Sequence, residues 1–237
     1  MRQAIIFDMD GLLIDSEPLW QQAEIEVLTA LGVPLTPARC LETTGLRIDE
    51  AIDYWYQRFP WPSAPHPVTE TTTGFVSSPG SLGEVRRGVQ AVAAQVTQQV
   101  IALIKAQGQA KPGVPHAIEW ARRSGRALAL ASSSPYALIH ATLSRLGLEG
   151  VFAVVYSAQE EAYGKPHPAV YLTTAKKLGI PPESCLALED SLNGVLAAKA
   201  AKMKCVAIPE AHNLHDPRFA IADTRLTSLL ELRDGLL

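Results

Sequence analysis

The sequence predicts an α/β fold in which a parallel sheet core is interrupted, after its first strand, by an inserted all-helical cap. In the second half of the chain, short apolar runs typical of buried strands alternate with amphipathic helical patterns. A similar apolar run stands alone at the start of the chain, and a long helical block separates it from the others. We find no internal repeat.

The first strand is the run Ala4 to Phe7, which no polar residue interrupts. Such a run is typical of a fully buried parallel strand. Asp8 and Asp10 follow at its carboxyl end, and Gly11 gives the backbone the freedom to turn. Because ligands of open α/β sheets bind beyond the carboxyl ends of strands, both acids are candidates for chemistry. The pattern also fits an ordinary turn, since Asp and Gly both favour turns.

Helical periodicity predicts that residues 15–111 form the cap. Its predicted elements are, in order, a helix capped by Asp15 or Ser16, a helix at 47–58, an irregular segment at 60–83 and a helix at 84–105. The irregular segment is rich in Pro, Ser, Thr and Gly and is longer than most loops of compact domains. We interpret it as an insertion, with a functional lid as the alternative.

Residues 1–14 and 112–237 are predicted to form the core. Four further strands are expected at 127–131, 152–156, 185–188 and 204–208, with helices between them. This alternation implies a parallel sheet with right-handed crossovers.

Composition limits the possible partners and the location of the protein. The formal net charge of -3 gives no broad basic field, so we do not expect a nucleic-acid partner. Three cysteines without metal-type spacing favour a reduced compartment. There is no signal-peptide pattern and no apolar run of membrane-spanning length, so we expect a cytoplasmic protein without a membrane partner. We expect a monomer, with a dimer as the alternative.

Polar residues follow several predicted strands on the same edge of the sheet. They are Asp8 and Asp10, Ser132 and Ser133, Lys165 in a later loop, and Glu189 and Asp190. Unit charges about 4 Å apart repel by about 4 kcal/mol at an effective dielectric constant of 20, so clustered carboxylates need a cation. An oxygen-only ligand set favours Mg²⁺, and the lysine and serine side chains suit a phosphate group.

These residue types predict phosphoryl transfer. Asp8, closest to the strand, is the expected nucleophile, which would form an aspartyl-phosphate. Asp10 is the expected acid for the leaving alkoxide and then the base for water. Asp190 is expected to bind Mg²⁺ directly, whereas Glu189 is expected to hold a metal-bound water or to orient Lys165.

Four motifs in this order resemble the haloacid dehalogenase superfamily, in its phosphatase branch with a helical cap. They are FDMDG at 7–11, Ser132, Lys165 within GKPHP, and ALEDSLNG at 187–194. The resemblance spans nearly the whole chain apart from residues 60–83. The stretch FDMDGLLIDSEPLW with GLRID is similar to the subgroup of 2-deoxyglucose-6-phosphate and hexitol-phosphate phosphatases.

The resemblance implies a Mg²⁺-dependent hydrolase of small sugar or polyol phosphates. It implies that Asp8, Asp190 and the backbone carbonyl of Asp10 bind Mg²⁺. It also implies that the phosphoryl group is bound by Ser132, Ser133 and Lys165. Dehalogenases of the superfamily lack the second aspartate of the first motif, so the presence of Asp10 argues against dehalogenation.

Two cap residues are candidates for substrate binding. Arg47 resembles a position that faces the substrate in related sugar-phosphate enzymes, although it also fits an ordinary surface arginine. Trp20 either lines the sugar pocket or packs within the cap. The β-phosphoglucomutases of this fold have a histidine where this chain has Trp20, which favours hydrolysis over mutase chemistry. A phosphomutase and a non-catalytic phosphate-binding module remain as alternatives.

Overall fold

The computed structural model of the protein describes residues 3–61 and 82–236. Most of the predicted insertion at 60–83 therefore lies outside the described residues. Within the described part of the chain, no helix combines the length and the hydropathy that crossing a bilayer requires. The cytoplasmic location and the oligomeric state stay predictions.

The core is one six-stranded sheet with every neighbouring pair parallel, in the order β3-β2-β1-β4-β5-β6. Its strands are β1 (Ala4–Phe7), β2 (Ala127–Ser132), β3 (Val154–Ser157), β4 (Cys185–Glu189), β5 (Lys204–Ala207) and β6 (Thr224–Arg225). The predicted fold class is confirmed. Strand β6 was not predicted, because two residues are too few to show an alternating or apolar pattern.

Eight α-helices accompany the sheet in the described ranges. They are α1 (Glu17–Ala30), α2 (Pro37–Cys40), α3 (Ile48–Arg58), α4 (Leu82–Gln107), α5 (Val114–Arg123), α6 (Tyr136–Leu146), α7 (Ala169–Leu178) and α8 (Leu192–Ala200). Helix α4 begins two residues before the predicted start at 84. The single-turn helix α2 was not predicted, since four residues show no helical periodicity.

Apolar side chains cover both faces of the sheet. In β1, Ile5 and Phe7 join one buried cluster, whereas Ala4 and Ile6 join a second cluster. This alternation follows from the two-residue period of a strand. The first cluster continues into the helical segment through residues such as Trp55. The cap is therefore packed on one face of the core rather than held away from it.

The two connections between cap and core run side by side. The N–H of Asp15 donates to the carbonyl of Gln109 at 2.9 Å, and the N–H of Lys111 donates to the carbonyl of Leu13 at 3.0 Å. The predicted cap boundaries at 15 and 111 lie on this pair of connections. The pairing fixes the start of α1 beside the loop that carries Asp10. That the cap is a separate domain stays a prediction.

Candidate active site

The ends of three neighbouring strands deliver polar side chains to one place. Asp8 directly follows β1, and its N–H donates to the carbonyl of Leu188 in β4 at 3.0 Å. Ser132 is the last residue of β2, and Glu189 is the last residue of β4. Because β1 lies between β2 and β4 in parallel register, these three side chains emerge at the same edge of the sheet.

Lys165 is the centre of this arrangement. Its side chain is buried, and its Nζ lies 2.5 Å from Oδ1 of Asp8, 2.6 Å from Oε1 of Glu189 and 3.1 Å from the carbonyl of Ala131. Burial alone would lower the pKa of Lys165, but the charges of Asp8 and Glu189 outweigh it and raise that pKa above its ordinary value. The ammonium group therefore stays charged and holds Asp8 in place.

Glu189 accepts hydrogen bonds from Lys165 and from two further residues. Its Oε1 accepts a second hydrogen bond from the hydroxyl of Tyr171 at 2.5 Å, and its Oε2 accepts from the N–H of Ser191 at 3.4 Å and from the Ser191 hydroxyl at 3.3 Å. Both carboxylate oxygens of Glu189 are thus committed to the protein. That Glu189 orients the lysine, rather than holding a metal-bound water, stays a prediction.

Two glycines allow the acids to approach the backbone. A Cβ atom at Gly194 would lie 1.9 Å from Oε1 of Glu189, so no other residue fits there without moving that carboxylate. Gly11 has a φ of +73°, and a Cβ atom there would lie 2.2 Å from Oδ2 of Asp190. Both positions need glycine because a carboxylate occupies the space of a side chain.

The carboxylates of Asp8, Glu189 and Asp190 form a cluster that fits a cation. One oxygen of each lies within 4.8 Å of the others. Oδ1 of Asp190 is buried and has no hydrogen-bond partner among the described residues. Burial, followed by the charge of Asp8, raises the pKa of Asp190 well above its ordinary value. An unpartnered buried oxygen in an oxygen-only donor set suits a hard divalent cation, which would relieve the repulsion.

Asp10 is held by three side-chain donors. Its Oδ1 accepts from the hydroxyl of Ser16 at 2.8 Å and from Nε1 of Trp20 at 3.0 Å, and its Oδ2 accepts from the hydroxyl of Ser134 at 2.7 Å. Ser16 was predicted as a possible cap of α1, but its side chain makes no capping hydrogen bond. The hydroxyl is used to position Asp10 instead.

The serines at the end of β2 contact both the core and the cap. Oγ of the buried Ser132 accepts from the N–H of Ser134 at 3.0 Å, and Oγ of Ser133 lies 3.5 Å from the carbonyl of Gly45 in the cap. All three serines line the cavity that holds Asp8. The contact of Ser134 with Asp10 was not predicted, because its position in the Ser132 to Ser134 run does not distinguish it.

Arg47 is not among the residues that line this cavity, and that it faces the substrate stays a prediction. Its guanidinium group contacts Asp49, with Nε 2.5 Å from Oδ1. Its Nη1 donates to the carbonyls of Ala158 at 3.1 Å and Glu161 at 2.7 Å in the core. These core carbonyls are more than a hundred residues away in sequence, so no local pattern could predict them. Arg47 thus docks the cap on the core.

Helix α1 contributes a polar face to the same cavity. Glu17, Trp20, Gln21 and Glu24 all line it. Glu24 is only 8% exposed, and burial raises its pKa from 4.5 to about 8. Glu24 was not predicted as a pocket residue. The available signal was an acidic residue next to Ala23 on the buried side of an amphipathic helix.

The family model of haloacid dehalogenase-like hydrolases matches residues 3–202. The chain belongs to the haloacid dehalogenase-like hydrolases. It is 41% identical over 230 residues to hexitol phosphatase B of Escherichia coli K12, covering 97% of this chain and 93% of that protein. The predicted resemblance to the phosphatase branch of this hydrolase family is therefore confirmed, and the chain is an enzyme.

Solved structures agree with this family membership. The structure of CbbY from Rhodobacter sphaeroides in complex with phosphate has a TM-score of 0.78 and 30% identity, covering 98% of this chain and 96% of that one. A CbbY variant has been solved in complex with xylulose 1,5-bisphosphate. The structure of β-phosphoglucomutase from Clostridium difficile also has a TM-score of 0.78, but its 21% identity shows a shared fold alone.

Proposed function

We propose that this hydrolase is a Mg²⁺-dependent phosphatase of small sugar or polyol monophosphates, with hexitol phosphates as the preferred class. The observation that carries the proposal is the contact of Lys165 with Asp8, beside the unpartnered oxygen of Asp190. The 41% identity to hexitol phosphatase B over almost the whole chain supports the substrate class.

The carboxylates of Asp8 and Asp190, with the backbone carbonyl of Asp10 that the family pattern implies, would hold Mg²⁺. The bound ion would neutralise charge on the phosphoryl oxygens. Lys165 supplies further positive charge, and the hydroxyls of Ser132 and Ser133 are the proposed hydrogen-bond donors to the phosphoryl group.

In the first half of the reaction, a carboxylate oxygen of Asp8 attacks phosphorus. The bond between that oxygen and phosphorus forms while the bond between phosphorus and the ester oxygen breaks. Asp10 gives its proton to the departing alkoxide, which leaves as an alcohol. The contacts from Ser16, Trp20 and Ser134 fix the position from which Asp10 does this.

In the second half, water hydrolyses the phosphate ester on Asp8. Asp10, now a carboxylate, takes a proton from the water as the water oxygen attacks phosphorus. The bond between phosphorus and Asp8 breaks, and inorganic phosphate leaves. Asp8 returns to its starting state, and Asp10 again carries the proton needed for the next substrate.

A substrate panel tests this proposal. Purified protein is assayed for phosphate release from hexitol phosphates, hexose phosphates, glycerol phosphate and nucleotides, with Mg²⁺ and after its removal by a chelator. We expect hexitol phosphates to give the highest kcat/KM, and activity to be lost on chelation and restored by Mg²⁺. Nucleotides as the best substrates, full activity without a divalent ion, or isomerisation of glucose 1-phosphate without phosphate release would contradict the proposal.

A further inference from the structure

Helix α1 presents three polar residues to the active-site cavity, which we call the α1 pocket face: Glu17, Gln21 and Glu24. Positions i, i+4 and i+7 lie on one side of a helix, and they span roughly 10 Å along its axis. All three residues line the cavity that contains Asp8 and Lys165. The face therefore extends from the reacting groups into the region where a leaving group would lie.

Glu24 is the residue of this face that the fold explains least. Its side chain is more than nine-tenths buried, and its carboxyl group accepts a hydrogen bond from the thiol of Cys40, a weak donor. Burying a carboxyl group without a strong partner is costly. The raised pKa of Glu24 reflects that cost. A costly buried acid that lines a catalytic cavity points to a ligand.

The polar groups of the α1 pocket face are suited to hydrogen bonds with hydroxyl groups. Oε1 of Glu17 accepts from Nε2 of Gln21 at 3.0 Å and from the hydroxyl of Thr44 at 3.3 Å, which fixes both side chains. Carboxyl groups and an amide offer donors and acceptors close together. A polyol, in which every carbon carries a hydroxyl that both donates and accepts, is complementary to such a surface.

The described residues of the cavity offer no free cation to a second anion. Among the described residues that line it, Lys165 is the only lysine or arginine, and its ammonium is already bound to Asp8 and Glu189. Arg47, an arginine of the cap, is committed to Asp49 and to core carbonyls. A second phosphate beside the α1 pocket face would meet carboxyl groups, with no further lysine or arginine among the described lining residues to balance its charge.

We propose that the α1 pocket face binds the hydroxyls of the leaving group, and that it makes the enzyme selective for polyol or sugar monophosphates over bisphosphates. This inference rests on the proposed phosphatase function and adds which part of the substrate the α1 pocket face recognises. Glu24 is the central specificity residue of this face.

The test compares three substrates. Sorbitol 6-phosphate presents a polyol to the α1 pocket face, fructose 1,6-bisphosphate adds a second anion, and acetyl phosphate has a leaving group too small to reach Glu24. For the wild type we expect kcat/KM for sorbitol 6-phosphate to exceed that for the bisphosphate at least about tenfold. Equal or better use of the bisphosphate would overturn the selectivity.

Variants at position 24 test the residue itself. Glu24→Leu should lower kcat/KM for sorbitol 6-phosphate by roughly tenfold to a hundredfold and leave acetyl phosphate hydrolysis within about threefold, because it removes contacts to the leaving group alone. Glu24→Gln should retain more activity than Glu24→Leu, since an amide still donates and accepts. Glu26→Gln, at an exposed position of α1, is the matched control and should match the wild type. Equal losses on both substrates, or no loss, would overturn the proposal.

A binding measurement separates this inference from the proposed catalysis. Calorimetry with Asp8→Asn and with the Asp8→Asn, Glu24→Leu double variant measures affinity for sorbitol 6-phosphate and for inorganic phosphate without turnover. We expect the second substitution to weaken sorbitol 6-phosphate at least about tenfold and to leave phosphate unchanged. Equal affinities for sorbitol 6-phosphate would overturn the inference. If the affinities change as expected but the wild type releases no phosphate, the result contradicts only the proposed function.

Discussion

At the scale of single residues, Trp20 links the cap to the carboxylate of Asp10. Its Nε1 lies 3.0 Å from Oδ1 of Asp10, although the two residues belong to different parts of the fold. Trp20 was predicted either to line the sugar pocket or to pack within the cap. The contact gives it a more specific part, because the indole N–H positions the proposed acid and base without being able to exchange a proton itself.

Replacing Trp20 by Phe tests this contact. Trp20→Phe keeps an aromatic ring but removes the N–H, so we expect kcat for a hexitol phosphate to fall roughly tenfold, with a smaller change in KM. Steady-state kinetics measure the effect. Trp55→Phe is the matched control, because Nε1 of Trp55 is buried without a hydrogen-bond partner among the described residues. If Trp20→Phe changes KM alone, Trp20 contacts substrate rather than positioning Asp10.

Glu24 also makes stability depend on pH. Burial raises its pKa from 4.5 to about 8 in the folded protein. Between these values the native state binds more protons than the unfolded state, so the free energy of unfolding falls as pH rises through this window. The amide of Glu24→Gln does not titrate, so this variant does not lose free energy of unfolding as pH rises. It should be more stable than the wild type by about 3 kcal/mol at pH 7.

Urea denaturation at pH 5 and pH 7.5 measures this difference. The stability advantage of Glu24→Gln should be small at pH 5 and larger at pH 7.5. Glu26→Gln, exposed on the same helix, should show no such dependence. An advantage for Glu24→Gln that is constant over this range would mean that the carboxyl of Glu24 titrates normally in the folded state.

At the scale of elements, the segment from Thr44 to Glu50 docks the cap on the core loops. Nδ2 of Asn193 donates to the carbonyl of Thr44 at 3.2 Å, and the N–H of Gly164 donates to Oε1 of Glu50 at 2.8 Å. Arg47 adds its two contacts to core carbonyls. Thr44, Gly45 and Leu46 of this segment line the same cavity as Lys165.

Removing the guanidinium group tests the docking. Charge-assisted hydrogen bonds contribute about 1.5 to 3 kcal/mol each, so Arg47→Ala should lower kcat/KM for a hexitol phosphate at least about tenfold by weakening the docked state. Arg58→Ala removes an exposed arginine of α3 and should have little effect. The comparison uses steady-state kinetics and a thermal melt. Unchanged kcat/KM for Arg47→Ala would show that docking does not depend on this residue.

The elements show how far a sequence can be interpreted. Strand β1 was predicted at its observed bounds, because Ala4 to Phe7 is an unbroken apolar run. The acids at its end were identified for a local reason, their place after the strand. The partners of Arg47 and Ser134 were not, since those contacts join residues more than a hundred positions apart. Trp20 and Asp10 are only ten residues apart, but the chain turns between them, and periodicity does not show which side chains meet across a turn. Local patterns predict which strand ends carry chemistry, but not which side chains position it.

At the scale of the whole molecule, the fold places a charged floor and a polar wall around one cavity. The floor comes from the sheet edge, where Lys165 lies between Asp8 and Glu189. The wall comes from α1, which the paired connections at Asp15 and Lys111 hold beside the first loop. Under the proposed function, the core would supply chemistry common to phosphate esters, and the cap would select the alcohol that leaves.

The central claim, that a phosphoryl group passes through Asp8, is tested most directly by trapping it. The protein is mixed with a hexitol phosphate, quenched in acid within one turnover, and digested for mass spectrometry. We predict one added phosphoryl group on Asp8, and none in Asp8→Asn, which should also release no phosphate. A phosphoryl group on another residue, or phosphate release by Asp8→Asn at the wild-type rate, would contradict the account.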